Sequence, residues 1–239
     1  MKKTLIVLLL MVTGVVRAQI DSAAAVVDRY LALLNIEALP TDSMLYIETA
    51  VTTNQHDDTV WIYRWYAPPK RFRVEVRYNG KLLDGLVGDG EKHFIYYDAE
   101  HGGWASLRDD FFYEKLKAYD FRGPLYAWRT QGISLTWGGN TILKEQPMQV
   151  VKVDDPGLYG RYYMFDARSG LLTLIIETDE LAEGFAPRPE SRIEWKAMHE
   201  FSPIGSGTLL PTLESFLRGE EITVLSSTMR FLPIDPKKF

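Results

Sequence analysis

The sequence predicts a mainly β protein with a helical component, folded as one large antiparallel sheet or barrel. Two observations predict this class. Apolar residues recur at every second position through most of the chain, which is typical of strands that bury one face. Turn residues such as Asp, Asn, Gly and Pro separate these runs at intervals of roughly 8–12 residues, as in sheets built from successive strands.

The composition fits one globular domain. The chain has 239 residues, of which 46% are hydrophobic and 25% are charged, and this is enough to bury a sizeable core. It contains no cysteine. The lack of cysteine excludes a disulfide scaffold, a thiolate zinc site, a cysteine nucleophile and a thiol-linked lipid anchor.

Residues 1–18 have the pattern of a secretory signal sequence. Lys2 and Lys3 precede an apolar run over 4–16, and Val16 and Ala18 suit the two positions that define a cleavage site. The run is too short to span a membrane, although an uncleaved anchor is the alternative. We therefore expect a single mature domain over 19–239, periplasmic or secreted, and soluble after cleavage.

Cleavage would leave an acidic domain. Residues 1–18 hold three basic residues and no acidic one, so their removal changes the formal charge from −5 to −8. A net negative charge disfavours association with nucleic acid and with anionic membrane surfaces. We therefore expect no nucleic-acid partner.

The first predicted element is a helix over 21–34, with Asp21 or Ser22 as its N-cap. Apolar residues at spacings of three and four give it one buried face: Ala23, Val26, Val27, Tyr30, Leu31 and Leu34. Alternation then predicts strands over 44–53, 59–66, 71–78, 81–87 and 92–97. A short helix is predicted over 109–119, and further strands over 147–153, 158–166, 171–178, 191–201 and 222–232.

The strand over 71–78 alternates without error. Its apolar positions are Phe72, Val74, Val76 and Tyr78, and its charged positions are Arg71, Arg73, Glu75 and Arg77. This pattern predicts a strand with one dry and one wet face. Asn79-Gly80 then favours a type I′ hairpin turn, because both central residues of that turn need a positive φ.

The sequence shows no constellation of catalytic or metal-binding residues. The four histidines, His56, His93, His101 and His199, have no spacing typical of a metal-binding pair. Paired acids occur at 57–58, 109–110 and 154–155, but adjacent residues of a strand point to opposite faces. We therefore predict a protein that is not an enzyme and that needs no metal or cofactor.

The strands carry a surplus of large apolar side chains. Core packing accounts for some of them, but a curved sheet that helices cover only in part keeps an apolar cavity. An acyl chain entering such a cavity gains about 0.8 kcal/mol per buried methylene, on the order of 10 kcal/mol for a long chain before ordering costs. The predicted lipid-binding residues are Trp61, Tyr63, Trp65, Phe72, Val74, Val76, Phe94, Tyr96, Tyr163 and Phe165.

The order of these features resembles the LolA-like superfamily of periplasmic lipoprotein carriers and outer-membrane lipoprotein-sorting proteins. The likeness covers nearly all of the mature chain. Each motif is weak alone, but six occur in the family's order after the N-terminal helix. They are Ala67-Pro68-Pro69, RFRVEVRY at 71–78, Asp89-Gly90 before HFIYY at 93–97, YYMFDARSGLL at 162–172, GTLLP at 207–211 and IDPKKF at 234–239.

The resemblance implies an open, strongly curved antiparallel sheet, a half-closed barrel, covered by the N-terminal helix and the short mid-chain helix. It also implies an apolar cavity that holds acyl chains. In the best-known carriers a basic residue stands directly before the turn proline, whereas Ala67 stands there in this chain. Binding of lipids other than lipoproteins therefore remains open. Asp166 is expected to be structural, because Asp stabilises such turns by accepting from nearby N–H groups.

Three functions are compatible with these observations. The first is a periplasmic carrier of lipids or lipoproteins that exchanges its cargo with membrane-bound donor and acceptor proteins. The second is an envelope sensor or protein-interaction module on the same fold, and the third is an extracytoplasmic enzyme that acts on glycans. The orientation of the aromatic strand residues distinguishes them: a dry cavity favours the carrier, an exposed patch the interaction module, and a groove beside two carboxylates the enzyme.

Overall fold

The computed structural model describes residues 22–68, 70–89, 94–99, 101–106, 120–123, 125–126, 128–155, 161–177, 194–205 and 207–239, with Phe94 and Asp98 described by their backbone alone. The predicted signal sequence over 1–18 and the predicted helix over 109–119 lie outside these residues. Helix α1 spans Ala23–Leu34, and short 3₁₀ helices span Ile36–Ala38 and Pro236–Lys238. None of the helices in this part of the chain is long and apolar enough to cross a bilayer.

Within the described residues, thirteen strands form one antiparallel sheet, as the alternation in the sequence predicts. They are β1 Ser43–Thr53, β2 Val60–Ala67, β3 Arg71–Tyr78, β4 Lys81–Gly88, β5 Phe94–Asp98, β6 Gly103–Ser106, β7 Ser134–Leu143, β8 Gln146–Asp154, β9 Arg161–Asp166, β10 Leu172–Glu177, β11 Glu194–Ile204, β12 Thr208–Arg218 and β13 Glu221–Pro233. The order is β6-β5-β4-β3-β2-β1-β13-β12-β11-β10-β9-β8-β7. Because β6 and β7 are the two edges, the sheet is open rather than closed into a barrel.

The sheet has two faces that α1 distinguishes. Residues paired directly across neighbouring strands point to the same face, and successive residues of one strand point to opposite faces. On β1, Leu45 and Ile47 pack with α1 and define the helix-side face. Met44 and Tyr46 belong to a separate apolar cluster and define the outer face.

Helix α1 begins and ends at residues with capping chemistry. The Ser22 hydroxyl accepts a hydrogen bond from the Ala25 N–H at 3.2 Å, as the sequence predicts for an N-cap. Asn35 ends the helix in the left-handed conformation, with φ of 49°. The predicted apolar face is confirmed, because the buried residues of the helix are Ala23, Val26, Val27, Tyr30 and Leu34.

The main core lies between α1 and the strands that follow β6 in the chain, together with β1. The helix packs on β7, β8 and β12. Its Tyr30 ring meets the Phe165 ring edge to face, with the centroids 5.5 Å apart. The buried strand residues of this core include Val151, Val153, Tyr163, Phe165, Ile175 and Leu210.

The connection from β6 to β7 joins opposite edges of the sheet and therefore has to cross it. Its described part lies on the helix side, because Leu125 is buried in the same core as α1. The Phe121 ring packs 4.3 Å from the ring of Tyr66 on β2. Arg129 then forms a 2.6 Å ion pair with Asp28 of α1. The crossing segment thus covers part of the helix-side face.

Two predicted turns have the chemistry that the sequence indicates. Asn79 and Gly80 both have positive φ, of 48° and 77°, as a type I′ turn requires. The Asp166 carboxylate accepts from the N–H groups of Arg168 and Ser169 at 2.9 and 2.6 Å, so its role is structural. Arg29 of α1 donates to the Arg168 carbonyl at 2.8 Å, which ties the helix to this turn.

Three strands, β6, β7 and β12, have no counterpart among the strands predicted from the sequence. Glycines at 138 and 139 weaken the strand pattern of β7, and the pairing register shifts there, as at a bulge. Pro211 weakens the pattern of β12, because proline cannot donate to a ladder. Its partner Phe201 lies where the β11–β12 register shifts, which lets an interior strand accept proline.

Truncating Phe165 tests the packing of α1 on the sheet. Phe165 is fully buried, so we expect Phe165→Ala to lower the free energy of unfolding by about 3–5 kcal/mol in urea titrations. The matched control is Ile142→Ala, since Ile142 is 75% exposed and its truncation should change stability by less than about 0.5 kcal/mol. Similar small losses in both variants would contradict this assignment of the core.

Candidate functional site

The pairing of β2 with β3 divides the predicted lipid-binding residues between two faces. Trp61, Tyr63 and Trp65 pair with Arg77, Glu75 and Arg73, and they point to the outer face. Phe72, Val74 and Val76 pair with Tyr66, Arg64 and Ile62, and they point to the helix side. The ten predicted residues therefore do not line a single cavity. This corrects the sequence analysis, which grouped the aromatic residues of β2 with the apolar residues of β3.

Tyr163 and Phe165 lie on the helix side but belong to the packed core beneath α1. Neither side chain has any exposed surface. The Tyr163 hydroxyl is buried, and burial raises the pKa of this hydroxyl to about 12. Contact of a ligand with these two residues would require α1 to move.

The helix-side face also carries an apolar patch on β2 to β5, which we call the β2–β5 patch. Its members are Ile62, Tyr66, Phe72, Val74, Leu86 and Tyr96. Val74 and Leu86 form its centre and have no exposed surface, while Ile62, Tyr66 and Tyr96 are half-buried. Three strands, β2, β1 and β13, lie between β3 and β12, on which α1 packs. The patch is an apolar cluster on the same face, and it adjoins the core beneath α1 at Tyr66, which packs against both.

Two further predicted residues lie at or beside the patch. Val76 is half-buried and pairs with Ile62 on one side and Asp84 on the other, so it extends the patch along β3. Phe94 belongs to β5, but its side chain lies outside the described residues. The sequence analysis therefore contributes Phe72, Val74, Val76 and Tyr96 to this region and misses Ile62, Tyr66 and Leu86.

A polar strip lies between part of the β2–β5 patch and the core beneath α1, which meet at Tyr66. Arg64 of β2 donates from Nη2 to the Thr49 hydroxyl at 2.5 Å. Thr49 in turn shares a 2.8 Å hydrogen bond with the Ser227 hydroxyl. Arg64 pairs with Ile47 on one side and Val74 on the other, so its guanidinium lies at the boundary of the two apolar regions.

Arg64 was not among the candidate residues of the sequence analysis. The strand pattern does mark Arg64, because it alternates onto the same face as Ile62 and Tyr66 and is the one charged residue of β2. A charge within an otherwise apolar strand face indicates a buried polar contact or a ligand-binding role. The sequence analysis instead followed Trp61, Tyr63 and Trp65, which alternate onto the other face of β2.

The outer face beside the patch carries an aromatic row and an ion row. The rings of Trp61, Tyr63 and Trp65 stack along β2 with centroids 6.3 and 6.2 Å apart. On β3, the Glu75 carboxylate binds Arg73 at 2.5 Å and Arg77 at 2.8 Å. The predicted wet face is therefore only partly wet, because Glu75 is 6% exposed.

The C-terminal segment covers one end of the aromatic row. The Lys238 ammonium lies 4.9 Å from the centre of the Trp65 ring, and Phe239 joins the same apolar cluster. Arg73 donates to the Lys238 carbonyl at 3.2 Å, and its guanidinium also lies 5.3 Å from the Trp104 ring. Trp65 is buried as a result, whereas Trp61 and Tyr63 remain half-buried.

A cleft of about 500 Å³ lies beside the C-terminal end of α1. Its lining includes Leu31, Glu37, Tyr126 and Trp128 but none of the predicted lipid-binding residues. Arg129 closes part of it by lying 4.3 Å from the Trp128 ring while pairing with Asp28. In the part of the chain that the structure describes, no three His, Asp or Glu side chains converge as a metal site.

The ion row of β3 makes a testable contribution to stability. Burial raises the pKa of Glu75, but hydrogen bonds and charges from Arg73 and Arg77 outweigh burial and hold this pKa below its ordinary value. A lowered pKa in the folded state stabilises the protein above the unfolded pKa of about 4.3, and this stabilisation is lost as the pH falls through the folded value.

We expect Glu75→Gln to lower the free energy of unfolding at neutral pH by about 1–3 kcal/mol, because it weakens two charged hydrogen bonds. The difference from the wild type should shrink as the pH falls below about 4 in chemical denaturation series. Glu220→Gln is the control, since Glu220 is exposed. A difference that stays constant with pH would show that the Glu75 carboxylate does not stabilise the fold.

No protein-family model matches the sequence, and no characterised protein is significantly similar to it in sequence. Solved structures, by contrast, match it over most of its length. A LolA superfamily protein from Nitrosomonas europaea has a TM-score of 0.58 at 11% identity, and the match covers 91% of this chain and 97% of that protein.

Two other structures give the same result. A domain from Vibrio parahaemolyticus that is assigned to outer membrane lipoprotein-sorting proteins has a TM-score of 0.55 at 8% identity, over 88% of this chain and 96% of that domain. A DUF1329 family protein from Desulfovibrio piger has a TM-score of 0.54 at 9% identity, over 88% and 93% of the two chains. At such low sequence identity, the similarity to these structures concerns the fold alone. The chain, with its open antiparallel sheet and single N-terminal helix, thus has a LolA-like fold.

Proposed function

We propose that the protein is a periplasmic carrier that binds the acyl chains of lipids or lipoproteins at the β2–β5 patch. The observation that carries this proposal is the apolar cluster on β2 to β5, which lies on the helix-side face away from β7, β8 and β12, the strands on which α1 packs. An apolar part of a sheet face on which the protein's own helix does not pack is a place where a hydrophobic ligand can bind.

On this proposal the acyl chain contacts the half-buried residues of this region, which are Val76 and Tyr96 from the sequence prediction and Ile62 and Tyr66 from the patch. Phe72, Val74 and Leu86 are buried beneath them and become accessible to the chain only if covering side chains move. Each methylene buried against such side chains contributes about 0.8 kcal/mol. A long chain therefore binds without any catalytic group, and the proposal includes no enzymatic activity, metal or cofactor.

The proposed setting is the bacterial envelope. A signal sequence over 1–18 would export the chain, and one structural relative is assigned to outer membrane lipoprotein sorting. A carrier in this setting receives its cargo from one membrane-bound protein and delivers it to another. Membrane-bound donor and acceptor proteins are accordingly the proposed partners.

A second candidate function, an envelope sensor or protein-interaction module, is favoured by the outer face. Trp61 and Tyr63 point there, not toward the helix side. Ile95 and Trp104, on the neighbouring strands β5 and β6 at the sheet edge, are 39% and 38% exposed. Exposed apolar residues grouped near an edge strand are typical of protein-binding surfaces.

The carrier function predicts that the purified protein contains lipid. Protein expressed in a membrane-bearing host should show bound lipid by native mass spectrometry, and delipidated protein should take up a fluorescent fatty acid. Ile62→Asp should reduce this uptake at least tenfold, because it places a charge on the half-buried margin of the patch.

Trp61→Asp is the matched control, because Trp61 is the half-buried neighbour of Ile62 in β2 and points to the outer face. Its uptake should stay within about twofold of the wild type, provided that circular dichroism shows both variants folded. Loss of uptake in Trp61→Asp alone would favour a ligand on the outer face. Absence of bound lipid and of any uptake by the wild type would exclude the carrier function.

A further inference from the structure

The guanidinium of Arg64 lies on the helix side of the sheet, where no described carboxylate pairs with it. Among the described residues, its hydrogen bond to the Thr49 hydroxyl is its one polar contact. The Nε atom is buried and has no hydrogen-bond partner within the described part of the chain. The side chain as a whole is half-buried, so part of it remains accessible.

Two described carboxylates on the helix side are engaged by other cations. Asp120, which precedes Phe121 in the crossing segment, forms a two-pronged pair with Arg122 at 2.7–3.1 Å. Glu214 of β12 forms an ion pair with Lys196 of β11 at 2.5 Å. The fold therefore leaves Arg64 without a described carboxylate while pairing these other cations.

An unpaired, partly desolvated cation is costly for a folded protein, and buried charges are normally paired. Arginine presents its donors in a planar fork that matches the two oxygens of a carboxylate or phosphate. Arg64 has uncommitted donors, including the buried Nε, and pairs across the strands with Val74 at the centre of the β2–β5 patch. Its other partner across the strands is Ile47 of the core beneath α1, so an anion bound to Arg64 would lie at the β1 side of the patch.

We propose that Arg64 binds the anionic headgroup of the acyl ligand, so that the cargo is an amphiphile with a carboxylate or phosphate at one end. This inference rests on the proposed carrier function and specifies its ligand class. The apolar patch holds the hydrocarbon chain, and the Arg64 guanidinium pairs with the headgroup oxygens at the boundary of the patch. Neutral lipids of equal chain length then bind more weakly, because they leave Arg64 without a counter-charge.

The test compares charged and neutral ligands of matched chain length. Oleic acid and oleyl alcohol, and separately phosphatidylglycerol and diacylglycerol, compete with a neutral fluorescent alkyl probe on the delipidated protein. The wild type should bind the anionic member of at least one pair about tenfold more tightly or better. The pair that shows this preference identifies the anion as carboxylate or phosphate.

Variants of Arg64 separate headgroup binding from a structural role. Arg64→Gln should abolish the preference while keeping the affinity for oleyl alcohol within about twofold, and Arg64→Lys should retain part of it. The ligand-free melting temperature of Arg64→Gln should equal or exceed that of the wild type, because an unpaired charge is removed. Arg230→Gln, an exposed position on the outer face, controls for net charge and should leave the preference unchanged.

The outcomes distinguish this inference from the carrier function. Equal wild-type affinity for the acid and the alcohol, and for the two glycerolipids, would overturn the role of Arg64 but leave the carrier function intact. A lower melting temperature of Arg64→Gln together with loss of both ligand types would assign Arg64 a structural role and also overturn the inference. Failure of the wild type to bind any of the four ligands would overturn the carrier function itself.

Discussion

The fold depends on the contact of one short helix with a sheet that is much wider than the helix is long. Twelve residues of α1 extend about 18 Å. Thirteen strands span roughly 58 Å at the usual separation of neighbouring strands. The helix therefore covers only part of the helix-side face, where Tyr163 and Phe165 belong to the core beneath it. The rest of that face has to be covered by other segments or by a ligand.

The division of this face explains the placement of the polar strip. Thr49 and Ser227 satisfy each other at its centre, and Arg64 reaches them from the side of the β2–β5 patch. The strip limits contact between the two apolar regions to Tyr66, because polar atoms buried without partners are costly.

The outer face stabilises the same strands from the other side. The Arg73–Glu75–Arg77 row and the C-terminal segment hold β2 and β3 through charged hydrogen bonds and ring contacts. Residues that sequence patterning assigned to a ligand, such as Trp65, serve here as structural contacts. The helix-side and outer-face contacts of β2 thus involve different side chains, because successive side chains of a strand alternate between the two faces.

Local chemistry in the sequence determined the elements whose signals involve few residues. Ser22 as a helix cap, the Asn79-Gly80 turn and the Asp166 turn each depend on neighbours within three residues, and the alternation of β3 follows from burial of one face. Tertiary structure decided what depends on distant strands. Alternation shows that two faces exist, but only the pairing of β2 with β1 and β3 determines that Trp61 points outward and Arg64 inward. The register is set by contacts between strands far apart in sequence, and these leave no mark in the pattern of one strand.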